Sequence, residues 1–188
     1  MTLDEFLRWE DGTDTRYELI AGAPLAMAPP AARHSLLATA LAGEIRAALR
    51  SRPPRRVYGE AGIAVEERND TCYVADLAAS CQPLREADRL IRDPFLIVEI
   101  LSPSTAAFDR QTKVADYRRI GSVEEILLID SEMTFAEILR REGGRWLTEI
   151  VQGLSAILTL NSVPLSVAMA ELYEGIPLPE PRSGSARS

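Results

Sequence analysis

Residues 94–130 read PFLIVEILSPSTAAFDRQTKVADYRRIGSVEEILLID. Pro94 opens the run FLIVEIL, which is apolar throughout except for Glu99. A continuous apolar run of this length marks a central strand covered on both faces. Ser102-Pro103-Ser104 ends it. Ala106 to Ile120 then reads as a helix, with Ser104 or Thr105 placed to cap it and Gly121 to close it. EEILLID, 124–130, is a second buried strand. Strand, helix and strand in succession set the class as α/β.

Working outward, the flanks add antiparallel pieces. Thr2 with Glu5 is a capping-box pattern, which predicts a short helix from about Leu3 to Glu10. Arg16 to Ile20 and Pro24 to Met27 read as strands joined by a turn at Ala21-Gly22. From Ala31 to about Arg50, Leu37, Leu41, Ile45, Ala48 and Leu49 recur at helical spacing. Arg52 to Arg56, with Pro53 and Pro54, is a loop. Arg56 to Glu66 and Cys72 to Ala79 are extended. Phe135 to Arg140 and Trp146 to Val151 form a late hairpin turned at Gly143-Gly144. A short strand near Ile157 to Leu160 and a helix from Ser166 to Tyr173 complete the domain. The expected architecture is a mixed β-sheet flanked by few helices, with additional antiparallel hairpins. Residues 1–174 form one domain, and 175–188, with Pro177, Pro179, Pro181 and SGSARS, form a flexible C-terminal tail.

The chain has 188 residues, 46% of them hydrophobic and 26% charged. That supports one folded core and excludes a disordered chain, a collagen or a coiled-coil rod. No apolar run approaches the roughly 18–20 residues of a membrane helix. The acidic, amphipathic N-terminus does not read as a signal peptide, so a cytoplasmic location is the expectation. The net charge of −7 argues against tight non-specific nucleic-acid binding by the chain as a whole, though not against a local basic strip. Two cysteines, Cys72 and Cys81, make no disulfide framework. His34 is the one histidine, and no Cys or His pair stands at zinc spacing. Of the 21 basic residues, Lys113 is the single lysine. Arg replaces Lys on a solvated surface but not where a compact ammonium is required, which singles Lys113 out.

Glu99 carries most of the chemical signal. A carboxylate inside FLIVEIL is costly unless it is paired, hydrogen-bonded or bound to a cation; a strand-end Glu reaching solvent is the simpler alternative. Asp76 sits likewise inside YVADLAA. Two acidic residues on neighbouring strands can converge on one hard divalent cation, Mg²⁺ or Mn²⁺; a turn-capping Asp is the alternative. Lys113 follows on the next helix, either as an i, i+4 surface pair with Asp109 or as an ammonium pointing back at a metal site to position water or steady a phosphate. Glu18, in RYELI, reads equally as a solvent-facing strand residue or a fourth member. His34, at the start of the long helix, reads as a capping or surface residue or as a proton carrier near an anion.

The set RYELIAGAPLAMAPPAARH, YVADLAAS and VEILSPSTAAFDRQTKVADYRRIGSVEEILLID resembles the Uma-type (Uma-two) family of restriction endonucleases, in the restriction-endonuclease-like superfamily with its PD-(D/E)xK signature. The resemblance runs from about Thr2 to about Val151 and is most specific from Val98 to Asp130. It implies a restriction-endonuclease-like fold. It implies that Asp76 and Glu99 are the acidic metal ligands, that Lys113 is the signature lysine moved onto the helix, that Glu18 is the early glutamate of the site, and that His34 is a histidine frequent in the family pattern. Ala75 stands where the family usually has Pro, and Ala21-Gly22-Ala23 lacks the usual acidic pair.

The resemblance thus implies a Mg- or Mn-dependent endonuclease that hydrolyses nucleic-acid phosphodiester bonds. Asp76 and Glu99 would hold the metal, with a backbone carbonyl near Ile100 as a further ligand, and Lys113 would assist the attacking water. Arg46, Arg50, Arg52, Arg55 and Arg56 could touch DNA phosphates, although an Arg-biased, solvated helix end explains them as well. A homodimer is favoured, with Trp146 and Phe135 of the late hairpin as contact surface. Two rival readings stay open: a non-catalytic interaction or regulatory module on a nuclease fold, and a hydrolase of smaller phosphoesters.

Overall fold

The computed structural model describes residues 1–65, 67–86 and 88–178. In chain order it has α1 (Leu3–Phe6), β1 (Tyr17–Ile20), β2 (Ala23–Ala26), α2 (Ala32–Leu49), β3 (Arg56–Ala64), β4 (Cys72–Ser80) and β5 (Pro94–Leu101). There follow α3 (Ala106–Phe108), a π-helical turn (Asp109–Lys113), α4 (Val114–Tyr117), β6 (Glu125–Asp130), β7 (Phe135–Glu142), β8 (Arg145–Gln152), β9 (Ile157–Leu160), β10 (Leu165–Ala168) and α5 (Met169–Leu172). The mixed α/β architecture is the expected one. Among the described residues no helix is long and apolar enough to cross a membrane.

One sheet of eight strands runs β2-β1-β4-β5-β6-β7-β8, with β3 against the other edge of β4. Among the described strands only β5 and β6 are parallel, and the segment 106–117 carries the chain between them. All eight residues of β5 are buried, as its unbroken apolar run predicts. Leu96, Val98 and Ile100 face a layer built from α2, β9, β10 and α5. Ile97 and Leu101 face the opposite layer, where Val114, Tyr117 and Ile120 pack. Period-two alternation then assigns Glu99 to the side of the segment that bears Lys113.

The sheet forks at Asp76. β3 runs along β4 from Arg56↔Ser80 to Ala64↔Cys72, but Glu60↔Asp76 is missing from that ladder, and Glu60 has a left-handed φ of 49°. Across this point the alternation of β4 reverses. Tyr73 and Ala75 pack in one core, and Leu77 and Ala79 in the other. On its free edge β4 pairs with β5 only from Leu77↔Val98 onward, and with β1 only at Leu19↔Cys72. The edge of β4 between those contacts is left to side chains.

Several details depart from the sequence reading. The helix expected over 106–120 is two short α-turns around a π-turn and ends at Tyr117. Thr105 occupies the N-cap without a side-chain cap bond; its hydroxyl pairs with Ser102 Oγ at 3.1 Å instead. The helix expected over 166–173 is shortened to Met169–Leu172, because Ser166 to Ala168 belong to β10, which finds a ladder on β9. The first helix stops at Phe6, with its capping box formed. Glu66, placed at the end of the third strand, lies outside the described residues. In the segment expected as a tail, Ile176 is buried and Leu178 packs against the core, while 179–188 lie outside the described residues.

Glu125 fastens the β9–β10 hairpin to the sheet. Its buried carboxylate accepts from the Asn161 and Ser162 backbone N–H groups, the Ser162 hydroxyl and Arg140 Nε. Cys72 is buried, Cys81 exposed, and both are free.

Candidate active site

The fork is where the acidic side chains gather. Glu18 lies on β1 beside the single β1–β4 pair, and the next outward N–H of β4 has no strand partner. Glu18 Oε1 accepts that Val74 N–H at 2.8 Å and lies 2.9 Å from Lys113 Nζ. Glu18 is 7% exposed, which overturns its solvent-facing reading. Asp76 stands at the point where β5 leaves β4. Its Oδ2 accepts the Ile100 N–H at 2.6 Å, and its Oδ1 lies 3.2 Å from His34 Nε2.

Glu99, in the middle of β5, is 3% exposed. Its Oε1 accepts the Tyr117 hydroxyl at 2.6 Å and lies 3.3 Å from Lys113 Nζ. Lys113 also lies 3.5 Å from Asp109 Oδ1, and both residues are buried. The pair with Asp109 is therefore real but is no surface pair: one ammonium is shared by Glu18, Glu99 and Asp109. The π-turn that holds Asp109 and Lys113 is a local widening of the helix often found at functional positions. Beneath the ammonium lie aromatic rings. Lys113 Nζ sits 5.6 Å from the Tyr73 ring centroid, and Tyr73 meets Tyr117 edge-on at 5.7 Å. Tyr73 is oriented by its hydroxyl, which donates to Asp116 Oδ2 at 2.7 Å.

Burial and charge oppose one another here. Burial pushes Glu99 up to about 8 against the pull of Lys113, and the charges of Asp76 and Asp109 add to the push. Asp109 is also raised, chiefly by burial. For Lys113 burial works toward the neutral form, but Glu99, Glu18 and Asp109 outweigh it and hold the ammonium above its ordinary value. The Tyr117 hydroxyl is driven well upward by burial and by Glu99, so it remains a donor. His34 is pulled down by burial and more strongly up by its bond to Asp76 and that carboxylate's charge, for a net rise.

Glu18, Asp76, Glu99, Lys113 and His34 are thus brought to one place from β1, β4, β5, the π-turn and the first turn of α2. The arginines are not. Arg46 and Arg50 lie toward the other end of α2, roughly 18–24 Å from His34 at 1.5 Å rise per residue, and Arg52 and Arg56 follow them, all four exposed. Arg55 is spent within the fold, donating to the Ser162 carbonyl at 3.0 Å and stacking on Phe95. Trp146 is likewise engaged, under the Arg118 and Arg141 guanidinium groups. Tyr117 escaped the sequence reading. Its signal was spacing, since 109, 113 and 117 repeat every four residues and share one helical face.

The donor set suits a hard cation. Asp76 and Glu99 offer carboxylate oxygens on adjacent strands, close enough for the charge of one to raise the other. Among the described residues, however, no three His, Cys, Asp or Glu side chains stand at ion-binding spacing. An ion held there would complete its shell with water or phosphate oxygens, as Mg²⁺ commonly does.

Comparison with known proteins gives the family and the fold. The family model Uma2, described as "Putative restriction endonuclease", matches residues 3–170. Two Synechocystis proteins are similar along most of their length: uncharacterized protein slr1290, 30% identical over 92% of this chain and 91% of its own, and uncharacterized protein sll1609, 26% identical over 83% and 90%. The crystal structure of a protein from Anabaena variabilis, described as a "putative nuclease belonging to DUF820", superposes with a TM-score of 0.76 at 21% identity, covering 93% of this chain and 98% of that one.

Proposed function

We propose, from the premise that this chain belongs to the Uma2 family of restriction-endonuclease-like proteins, that it is a divalent-metal-dependent endonuclease acting on DNA. One observation carries the reading. A buried lysine sits 2.9 Å from Glu18 and 3.3 Å from Glu99 at the fork of a mixed sheet, with Asp76 on the adjoining strand. Such a cluster has little use as a stability device, since a buried set of charges costs more to desolvate than it returns.

Asp76 and Glu99 would hold Mg²⁺ or Mn²⁺, which when bound would polarise the scissile phosphate and acidify a water. Lys113 supplies a positive charge to steady the pentavalent phosphate and to orient the nucleophile. Glu18 and Asp109 hold the ammonium in place, and Tyr117 fixes the rotamer of Glu99 through its hydroxyl. Asp76 is fixed from the backbone by Ile100. The Ala75 departure leaves this intact, because Ala75 is an ordinary buried ladder residue opposite Ala61.

The test is cleavage of supercoiled and linear duplex DNA with Mg²⁺ or Mn²⁺, beside Glu99→Gln and Lys113→Met. The expected result is cleavage abolished by EDTA and reduced at least ~100-fold in each variant, the scale of a lost charge-stabilising group. Cleavage that persists in EDTA, or that both variants retain, rejects the reading.

A further inference from the structure

We infer that Arg16 and Arg33 grip the DNA backbone on either side of the cleaved phosphate, and that in the free chain Glu60 and Glu132 occupy their guanidinium groups in place of phosphate. The assignment rests on the nuclease reading above and gives it backbone contacts at the fork itself.

Position comes first. Arg16 stands two residues before Glu18 and still belongs to the β1–β2 hairpin, since its carbonyl accepts the Met27 N–H. Period-two alternation puts Arg16, Glu18 and Ile20 on one face, and Ile20 packs against the layer of Val114 and Tyr117. Counting back from Leu19↔Cys72 sets Arg16 level with Ala75, and counting from Ala61↔Ala75 sets Glu60 level with Asp76. Arg16 and Glu60 form an ion pair although β1 and β3 lie along opposite edges of β4. The pair therefore spans β4 at Ala75 and Asp76. The left-handed φ of 49° at Glu60 re-aims its side chain, as irregular strand positions beside active sites commonly do. Arg33 precedes His34 in the first turn of α2. Its Nη1 lies 3.1 Å from Glu132 Oε1, in the turn whose Ser131 N–H binds the Leu101 carbonyl. One pair thus flanks Asp76 toward β3 and the other toward β6. Arg110, beside Asp109, turns away to Glu137 on β7.

Charge then selects the ligand. The fork carries the carboxylates of Glu18, Asp76, Glu99 and Asp109 against one buried ammonium. A phosphodiester entering it needs cations at the rim as well as an ion inside. The Arg16 and Glu60 side chains are each 57% exposed, and those of Arg33 and Glu132 are 38% and 42% exposed. Ion pairs this open hold weakly. A backbone phosphate offers a guanidinium two parallel hydrogen bonds, and its neutralisation releases counterions condensed on the duplex. Exchange of glutamate for phosphate is therefore favourable at both arginines.

The experiment follows binding of a labelled duplex of ~20 bp to the full chain by fluorescence anisotropy, with Ca²⁺ or Mn²⁺, across about 50–200 mM salt. Arg16→Gln and Arg33→Gln are each expected to weaken binding about 10-fold, the low end for a charge-assisted hydrogen bond, and to lower the slope of log K against log salt by ~0.9. Glu60→Gln is expected to tighten binding about 2- to 5-fold, the reach of an exposed ion pair as a competitor. Misfolding cannot produce that gain. It should vanish in the Arg16→Gln background, whereas an effect of net charge alone would persist there. Arg145→Gln, an exposed charge on β8 at the far edge of the sheet, is the control and should leave the slope unchanged. Arginine variants that both match Arg145→Gln, or a Glu60→Gln gain that survives without Arg16, overturn the assignment and leave the nuclease reading standing. No duplex binding by the wild type with either ion overturns both.

Discussion

Glu99 illustrates how much one residue discloses. Its place in an otherwise apolar run is visible in the sequence, and the cost of burying a lone carboxylate demands a partner. The partners are Lys113 and Tyr117. Because burial raises Glu99 to about 8, the folded chain holds a proton there that the unfolded chain releases near the ordinary carboxylate value of 4.5. The folded state therefore binds more protons between those values, and its stability falls as pH rises through that window. The rise at His34 acts in the same direction above its own ordinary value of 6.5. Thermal melts of the metal-free chain from pH 5 to pH 8.5 should show a midpoint that drops with pH, and Glu99→Gln should flatten the drop. A wild-type midpoint that climbs over that range would contradict the assignment of Glu99 as a buried, proton-holding carboxylate.

At the scale of elements, the segment 106–117 has to present Lys113 correctly, and its far end is tied down by one arginine. Arg141 on β7 donates to the carbonyls of Val123, Arg118 and Ile120 at 2.8–2.9 Å and stacks on Trp146. Arg141→Ala leaves three carbonyls unmet and should cost roughly 2–3 kcal/mol in chemical denaturation, given ~1 kcal/mol per lost hydrogen bond and a partly exposed site. A loss below ~0.5 kcal/mol would mean that water replaces the guanidinium without penalty. The second element is the end of α2 and its loop. Arg55 belongs to the fold, so a charge test must spare it. Arg52→Glu with Arg56→Glu should weaken duplex binding and lower the slope of log K against log salt by about 1.8, at ~0.9 per phosphate contact. An unchanged slope assigns these arginines to solvent.

For the whole molecule, the net charge of −7 and an acidic fork mean that, under the proposed function, DNA would meet repulsion until a divalent ion entered. If the chain cuts both strands, a two-fold dimer would follow, and the part of the late hairpin expected to make it is edge strand β8 beyond Trp146, whose ring is covered by Arg118 and Arg141. Among the described residues β8 pairs with β7 alone, and Leu147 and Ile150 on it are 51% and 52% exposed. Sedimentation equilibrium at micromolar concentration should return the dimer mass, and Leu147→Lys with Ile150→Lys should return the monomer. A wild-type chain that stays monomeric removes β8 as an interface.

The local signals in this chain were sufficient for most of its elements. Apolar runs at period two and 3.6, the Ala21-Gly22 and Gly143-Gly144 turns with positive φ, and the Thr2–Glu5 capping box are short-range features, and the structure realises them where they stand. The residue types of the site, with Glu99 and the solitary Lys113 foremost, were legible for the same reason: a charge in an apolar run is a local anomaly. Tertiary packing decided the rest. Ser166 to Ala168, expected as the start of a helix, became strand because β9 offered a ladder, which no propensity records. The fork at Asp76 depends on β4 having to serve β1, β3 and β5 with only two edges. That geometric conflict brings Glu18 against the Lys113 ammonium and Asp76 against His34, each ordinary in its own segment, and it separates them from the arginines at the opposite end of the helix that carries His34.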